Sequence, residues 1–185
     1  MKKIVAFGAS NSRHSINKQL ATWVGQQVKD AEVTLLDLND YEMPIYGIDR
    51  EKESGIPELA VQFKELIKSS DGIIISFAEH NGSFATAFKN VLDWISRLDK
   101  PIWSNKPMFI LATSPGGRGG MSVLGGAEKT FPHQGAKVAG VFSLPSFKQN
   151  FDNGIIDETL LGTFNQQLAS FQSAINSDQT EEISA

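Results

Sequence analysis

Five short apolar runs alternate along this chain with stretches of helical periodicity, and that alternation limits the possible folds more than any other feature of the sequence. The runs are Ile4 to Phe7, Val33 to Leu38, Gly72 to Phe77, Met108 to Ala112 and Val138 to Phe142. Each has the length and β-branched content of a strand buried on both faces. Between them, Ile16, Leu20, Val24 and Val28 recur at helical spacing, as do Leu59, Phe63, Leu66 and Ile67, and then Ala87, Phe88, Val91, Leu92 and Ile95. A weaker helical pattern covers residues 120 to 132, and Leu160, Leu161, Phe164, Leu168, Phe171 and Ile175 form the stripe of a last helix.

Regular alternation of strand and helix predicts an α/β fold, a parallel sheet with helices on both faces, because right-handed crossovers leave few other arrangements. For five strands the expected order is 2-1-3-4-5, which puts a ligand crevice at the carboxyl ends of strands 1, 3 and 4. Three loops are then displayed there: residues 8 to 17, 78 to 84 and 113 to 120. Residues 1–175 are expected to form a single domain, since 185 residues suffice for one core. The acidic, aperiodic segment 176–185 reads as a flexible tail. Residues 39 to 55 form a long polar connection carrying Tyr41, Met43, Pro44, Ile45 and Tyr46, which suggests a packing or subunit-contact loop.

Composition narrows the function classes. Hydrophobic residues make up 41% and charged residues 21%, as in ordinary soluble domains. A net charge of −4 with scattered Lys and Arg argues against a nucleic-acid partner. With no cysteine in the chain, disulfides, thiolate metal sites and cysteine nucleophiles are excluded, so redox chemistry requires a bound cofactor. No apolar stretch reaches the roughly 20 residues of a membrane span, and no secretory signal is evident. A cytoplasmic location is expected, and the sequon Asn81-Gly82-Ser83 carries no weight there. No metal site is expected.

The first loop, Gly8-Ala9-Ser10-Asn11-Ser12-Arg13-His14-Ser15-Ile16-Asn17, follows a strand and opens a helix, the usual place for an anion in such folds. It is neither G-x-G-x-x-G nor a loop ending in Lys-Ser/Thr, so the common nucleotide signatures are absent. Ser10, Ser12, Ser15, Asn17 and the Ile16 amide could converge on one phosphate; alternatively Ser15 simply caps the helix. In the second loop, Glu79, His80, Asn81 and Gly82 could face a flat ligand, or Asn81-Gly82 could be a turn with Ser83 as the next cap. The third loop, Thr113-Ser114-Pro115-Gly116-Gly117-Arg118-Gly119-Gly120, could present backbone N–H groups to a heterocycle, or its glycines could merely permit a turn.

At these residues the chain resembles the NADPH-dependent FMN reductase family of flavodoxin-like proteins, the group of chromate, quinone and azo reductases. The resemblance rests on residues 9 to 17, 78 to 83, Phe88-Lys89-Asn90-Val91-Leu92-Asp93-Trp94 and 114 to 120. It implies a flavodoxin-like three-layer sandwich. It further implies that Ser10, Ser12, Ser15, Ile16 and Asn17 hold the FMN phosphate, that Glu79, His80, Asn81 and Gly82 line the ring and ribityl region, and that Ser114, Pro115, Gly116 and Gly117 approach the pyrimidine edge. Three positions depart from the family: Ser12 replaces a frequent arginine beside Arg13, and Ala78 and His80 replace proline and tyrosine.

The activity implied is an FMN-dependent NAD(P)H oxidoreductase that passes hydride from NADPH or NADH through FMN to a small-molecule acceptor such as a quinone, azo compound, chromate or free flavin. Chemistry is then carried by FMN, with no catalytic side chain, and Arg118 is either a contact for a cofactor phosphate or a solvated cation. The alternatives are a flavodoxin-type electron carrier and a flavodoxin-like interaction protein without catalysis. A homodimer or homotetramer is implied, with Met43 to Tyr46, Trp94, Ile95 and Trp103 as candidate contacts or, for Trp94, as core.

Overall fold

The structure is a computed structural model and describes residues 1–177. Its frame is a five-stranded parallel sheet in the order β2-β1-β3-β6-β7, built from β1 (Lys2–Ala9), β2 (Ala31–Leu36), β3 (Gly72–Phe77), β6 (Pro107–Thr113) and β7 (Lys137–Leu144). The expected order 2-1-3-4-5 is the one observed, with β4 (Glu79–His80) and β5 (Ser83–Phe84) forming an additional small antiparallel hairpin. The helices are α1 (Ile16–Gln27), α2 (Ile48–Ser54), α3 (Glu58–Ser69), α4 (Thr86–Ile95), α5 (Met121–Thr130), α6 (Phe147–Asn150) and α7 (Glu158–Ser177).

Because strand side chains alternate between faces, β1 feeds two cores. Val5 and Phe7 join Phe63, Phe88, Trp94, Trp103 and Phe131 beneath α3, α4 and α5. Ile4 and Ala6 join Leu20, Val24, Phe109, Phe164 and Phe171 beneath α1 and α7. The central strands are apolar except for Ser76 and Thr113 near their carboxyl ends because both of their faces are covered: every residue of β3 and β6 is buried. Full burial of each large apolar side chain is worth about 1.5–3 kcal/mol, so the two cores hold the helices in place.

The differences from expectation have local causes. β2 ends at Leu36, two residues before the apolar run does, because the Asp37 side chain accepts from the Asn39 N–H at 2.9 Å and starts a 3₁₀ turn over Leu38–Tyr41. The connection 39 to 55 packs as expected: Tyr41, Met43 and Tyr46 lie against the α3/α4 core, and Trp94 Nε1 donates to Pro44 O at 2.8 Å. It also contains α2, whose residues all remain unburied, so no apolar stripe announced it. Trp94, Ile95 and Trp103 are 0% exposed, which overturns their reading as subunit contacts and makes them core. The tail expected from residue 176 begins inside α7 for Asn176 and Ser177; its remainder lies outside the described residues. No helix among the described residues is long and apolar enough to cross a membrane.

Lys18 on α1 donates to Asp37, fastening the helix to the end of β2. That hydrogen bond, aided by the Asn39 N–H, holds the Asp37 carboxyl below its ordinary value. A carboxyl lowered by folding contributes stability above its unfolded pKa of about 3.9, and this is lost as pH falls through the folded value. Asp37→Asn is therefore expected to cost about 1 kcal/mol or less at neutral pH, the pair being half exposed, and nothing in strong acid. Urea titrations at both pH values measure this.

Candidate functional site

The carboxyl ends of β1, β3 and β6 bring the three suspect loops to one edge of the sheet. In the first, the chain leaves β1 so close to α1 that a Cβ on Gly8 would lie 2.4 Å from Lys18 N and 2.8 Å from the Asn17 carbonyl carbon. The loop then braces itself: Ser10 N–H donates to Gly8 O at 2.8 Å, Ser12 N–H to Ser10 Oγ at 3.1 Å, and Ser15 N–H to Ser12 O at 3.2 Å. Ser15 caps α1, its Oγ accepting from Lys18 N–H at 3.1 Å. That satisfies the third amide of the helix. The amides of Ile16 and Asn17, the first two, have no carbonyl four residues back within the helix and point out of its positive end. Ser12 is exposed beside them, whereas Arg13 lines a separate cleft of about 500 Å³ with His14, Lys18 and Trp23.

The Asn17 side chain faces inward and is 3% exposed. Its Nδ2 donates to Thr113 O at 3.1 Å, and its Oδ1 accepts from Thr113 N–H at 3.0 Å and from Ser76 Oγ at 2.7 Å. The last registered pair between β3 and β6 is Phe77 with Ala112, so the Asn17 amide bonds the next residue of β6 as a neighbouring strand would. The side chain is thus spent on joining loop one to loop three, and the residue faces the crevice with its backbone N–H.

The second loop is the β4/β5 hairpin. Asn81 and Gly82 form its two-residue turn, with φ of 52° and 74°, the left-handed geometry that favours this pair. Residues His80 to Ser83 are exposed at the tip. The turn reading of Asn81-Gly82 therefore holds, but Ser83 does not cap α4; Ala85 occupies that position and makes no side-chain hydrogen bond. Glu79 turns away from the tip, and its Oε2 accepts from Val123 N–H in α5 at 3.0 Å.

In the third loop the four glycines divide into two kinds. Gly119 and Gly120 have φ of 57° and 72°, and a Cβ would meet Ser143 Oγ at 2.3 Å and Ala112 Cβ at 2.8 Å respectively. The fold demands glycine at both. Gly116 and Gly117 are exposed, and a Cβ there would meet nothing closer than Ser146 Oγ at 4.0 Å from Gly117. Ser114 Oγ donates to Gly116 O at 3.0 Å, as does Ser146 N–H at 2.9 Å, which holds that peptide in one orientation. Pro115 is exposed next to it, and Arg118 donates to Ser122 Oγ at 3.1 Å.

On the β2 side of the crevice lies a cleft of about 510 Å³, into which Asn11 and His80 of the first two loops project together with Tyr41, Met43 and Asn90. Glu42 also lines this cleft, and the adjoining loops add neutral donors, exposed glycine backbone and a helix N-terminus, a set suited to a phosphate at one end and a flat heterocycle at the other. No group of three His, Cys, Asp or Glu side chains able to hold a metal occurs among the described residues. Ser76, which helps to lock the loops together, was not singled out from the sequence, whereas Thr113 stood at the head of the third loop with no role assigned. A serine in an otherwise apolar strand was the only signal for Ser76.

This sheet order, with three loops meeting at its switch point, defines a flavodoxin-like α/β protein. Residues 2–149 match the NADPH-dependent FMN reductases, and the chain belongs to that family. A 2-hydroxy-1,4-benzoquinone reductase of Burkholderia sp. is 36% identical over 119 residues, 63% of this chain and 63% of that protein. An NADPH azoreductase of Bacillus sp. (strain OY1-2) is 27% identical over 153 residues, 83% of this chain and 78% of that protein. The chain thus spans just under two thirds of the first relative's length. Among solved structures, FerB, a flavoenzyme NAD(P)H:(acceptor) oxidoreductase of Paracoccus denitrificans, superposes with a TM-score of 0.77 at 22% identity, covering 96% of this chain and 98% of that one.

Proposed function

We propose that this chain binds FMN across the three loops and reduces a small-molecule acceptor of the quinone or azo type with NADPH or NADH. The observation that carries the reading is the pair Gly116 and Gly117: the fold gives no reason for glycine there, whereas a heterocycle edge approaching backbone does. Bound FMN supplies the hydride chemistry. The protein's part is to bind and orient. The Ile16 and Asn17 amides and the exposed Ser12 hydroxyl receive the phosphate, so that the helix end offsets the charge for which Ser12 offers no cation. The Asn81-Gly82 turn and the Gly116-Gly117 backbone would line the ring, and backbone N–H donors there would favour its electron-rich form. The names of the relatives support quinone or azo acceptors.

Purified protein is expected to take up FMN, and NADPH is expected to bleach it in the absence of oxygen; absence of uptake would overturn the reading. Two substitutions separate its parts. Ser15→Ala is expected to cost about 1 kcal/mol as a lost cap and to weaken FMN more than riboflavin, which lacks the phosphate. Gly117→Ala is expected to leave stability within about 0.5 kcal/mol yet weaken both flavins. Equal loss of FMN and riboflavin in Ser15→Ala, or unchanged binding in Gly117→Ala, would contradict the respective assignment. The same reading makes the chain a single-domain cytoplasmic protein, a homodimer or homotetramer in which Ile45 and Ile48, 70% and 49% exposed, supply contact surface; sedimentation tests the assembly.

A further inference from the structure

Helix α5 begins at Met121, and the capping position before it is held by Gly120, which has no side chain with which to cap it. The cap comes instead from another loop. Glu79 reaches from the hairpin and accepts the amide of Val123, the third residue of the helix, across 44 residues of sequence. A carboxylate at a helix N-terminus is favoured by the dipole as well as by the hydrogen bond. At the other end of α5, Phe84 of the same hairpin lies 6.0 Å from Phe131, ring to ring. The hairpin is therefore fastened along α5 by a charged hydrogen bond at one end and an aromatic contact at the other, while its tip stays exposed.

The placement of that bond matters because α5 starts where the third loop stops. Gly119 and Gly120, the residues that cannot accept a side chain, connect the exposed Gly116-Gly117 backbone directly to the helix that Glu79 holds. Loop one is secured through the Ser15 cap and through the Asn17 contacts to Thr113 at the start of the third loop, none of which uses Glu79.

We infer that Glu79 is a positioning residue that sets the spacing between the Asn81-Gly82 turn and the Gly116-Gly117 edge. It therefore governs affinity for a flavin's ring and not for its phosphate. The inference rests on the FMN reading and moves Glu79 from the residues that touch the ligand to those that place them. An acceptor at this position is what counts, so glutamine substitutes and alanine does not.

The test uses the full chain in three forms: wild type, Glu79→Gln and Glu79→Ala. In flavin-free protein, exchange of the Val123 amide followed by NMR is expected to speed up about tenfold in Glu79→Ala, and to stay near wild type in Glu79→Gln. Titrated by fluorescence, FMN and riboflavin are expected to weaken by the same factor in Glu79→Ala, about tenfold, with Glu79→Gln restoring most of the loss. If Glu79→Ala does not fold, Glu79→Asp, which withdraws the carboxylate by one methylene, is expected to change both readouts in the same direction. Unchanged Val123 exchange, a larger loss for FMN than for riboflavin, or equal damage by Gln and Ala would overturn the inference. Wild-type protein that takes up neither flavin would overturn the FMN reading, and this inference with it; rapid Val123 exchange in flavin-binding wild type would overturn this inference alone.

Discussion

Gly8→Ala is expected to be the most damaging single-methyl substitution in the first loop, costing about 3 kcal/mol or more and abolishing FMN binding in whatever folded protein remains. The added Cβ would meet three backbone atoms, Lys18 N, Lys18 Cα and the Asn17 carbonyl carbon, at 2.4, 2.6 and 2.8 Å. Side chains can rotate away from such a clash; backbone cannot. Either β1 or the first turn of α1 must move, and the amides proposed to receive the phosphate belong to that turn. Gly162→Ala provides the control, since Gly162 lies within α7 with nothing within 4 Å of a Cβ. Alanine there is expected to stabilise by about 0.5–1 kcal/mol, from helix propensity alone. Urea unfolding of both variants reads the opposite signs, and an unchanged midpoint for Gly8→Ala would refute the close approach.

The same close approach shows what could be read before the fold was known. The strands were legible because burial on both faces leaves a continuous apolar signature, as in Gly72–Phe77, and their order followed from chain connectivity. The three loops were legible because polar and glycine residues stand directly after those strands. Side-chain direction was not. Asn17 and Glu79 both read as ligand contacts at crevice positions, yet each is turned toward a backbone group far along the chain, Thr113 in one case and Val123 in the other. A sequence shows that an amide or carboxylate is present, but its partner depends on where the third dimension puts the end of another strand or helix. The glycines of the third loop were likewise read as a set. Only the space around each one separates Gly119 and Gly120, which the fold requires, from Gly116 and Gly117, which it does not.

Asn17→Ala is the second substitution with a large expected effect, about 3 kcal/mol of stability. It removes three buried hydrogen bonds at once and strands Thr113 N–H, Thr113 O and the Ser76 hydroxyl at 1% and 0% exposure. Each stranded group costs about 1–3 kcal/mol when water cannot reach it, and partial relaxation at the strand ends keeps the total below the sum. Ser76→Ala alone deletes one donor and leaves Asn17 Oδ1 bonded to Thr113 N–H, so about 1 kcal/mol is expected. In the double variant the two losses are expected to fall short of additivity, because the Ser76 bond can be lost only once. FMN binding adds a separate readout. The Asn17 amide proposed to meet the phosphate survives in Asn17→Ala, but its anchorage to β6 does not, so affinity for FMN should fall further than affinity for riboflavin. Additive stability losses would show that Asn17 and Ser76 act independently. Unchanged FMN affinity would show that α1 needs no tie to the third loop to present its amides.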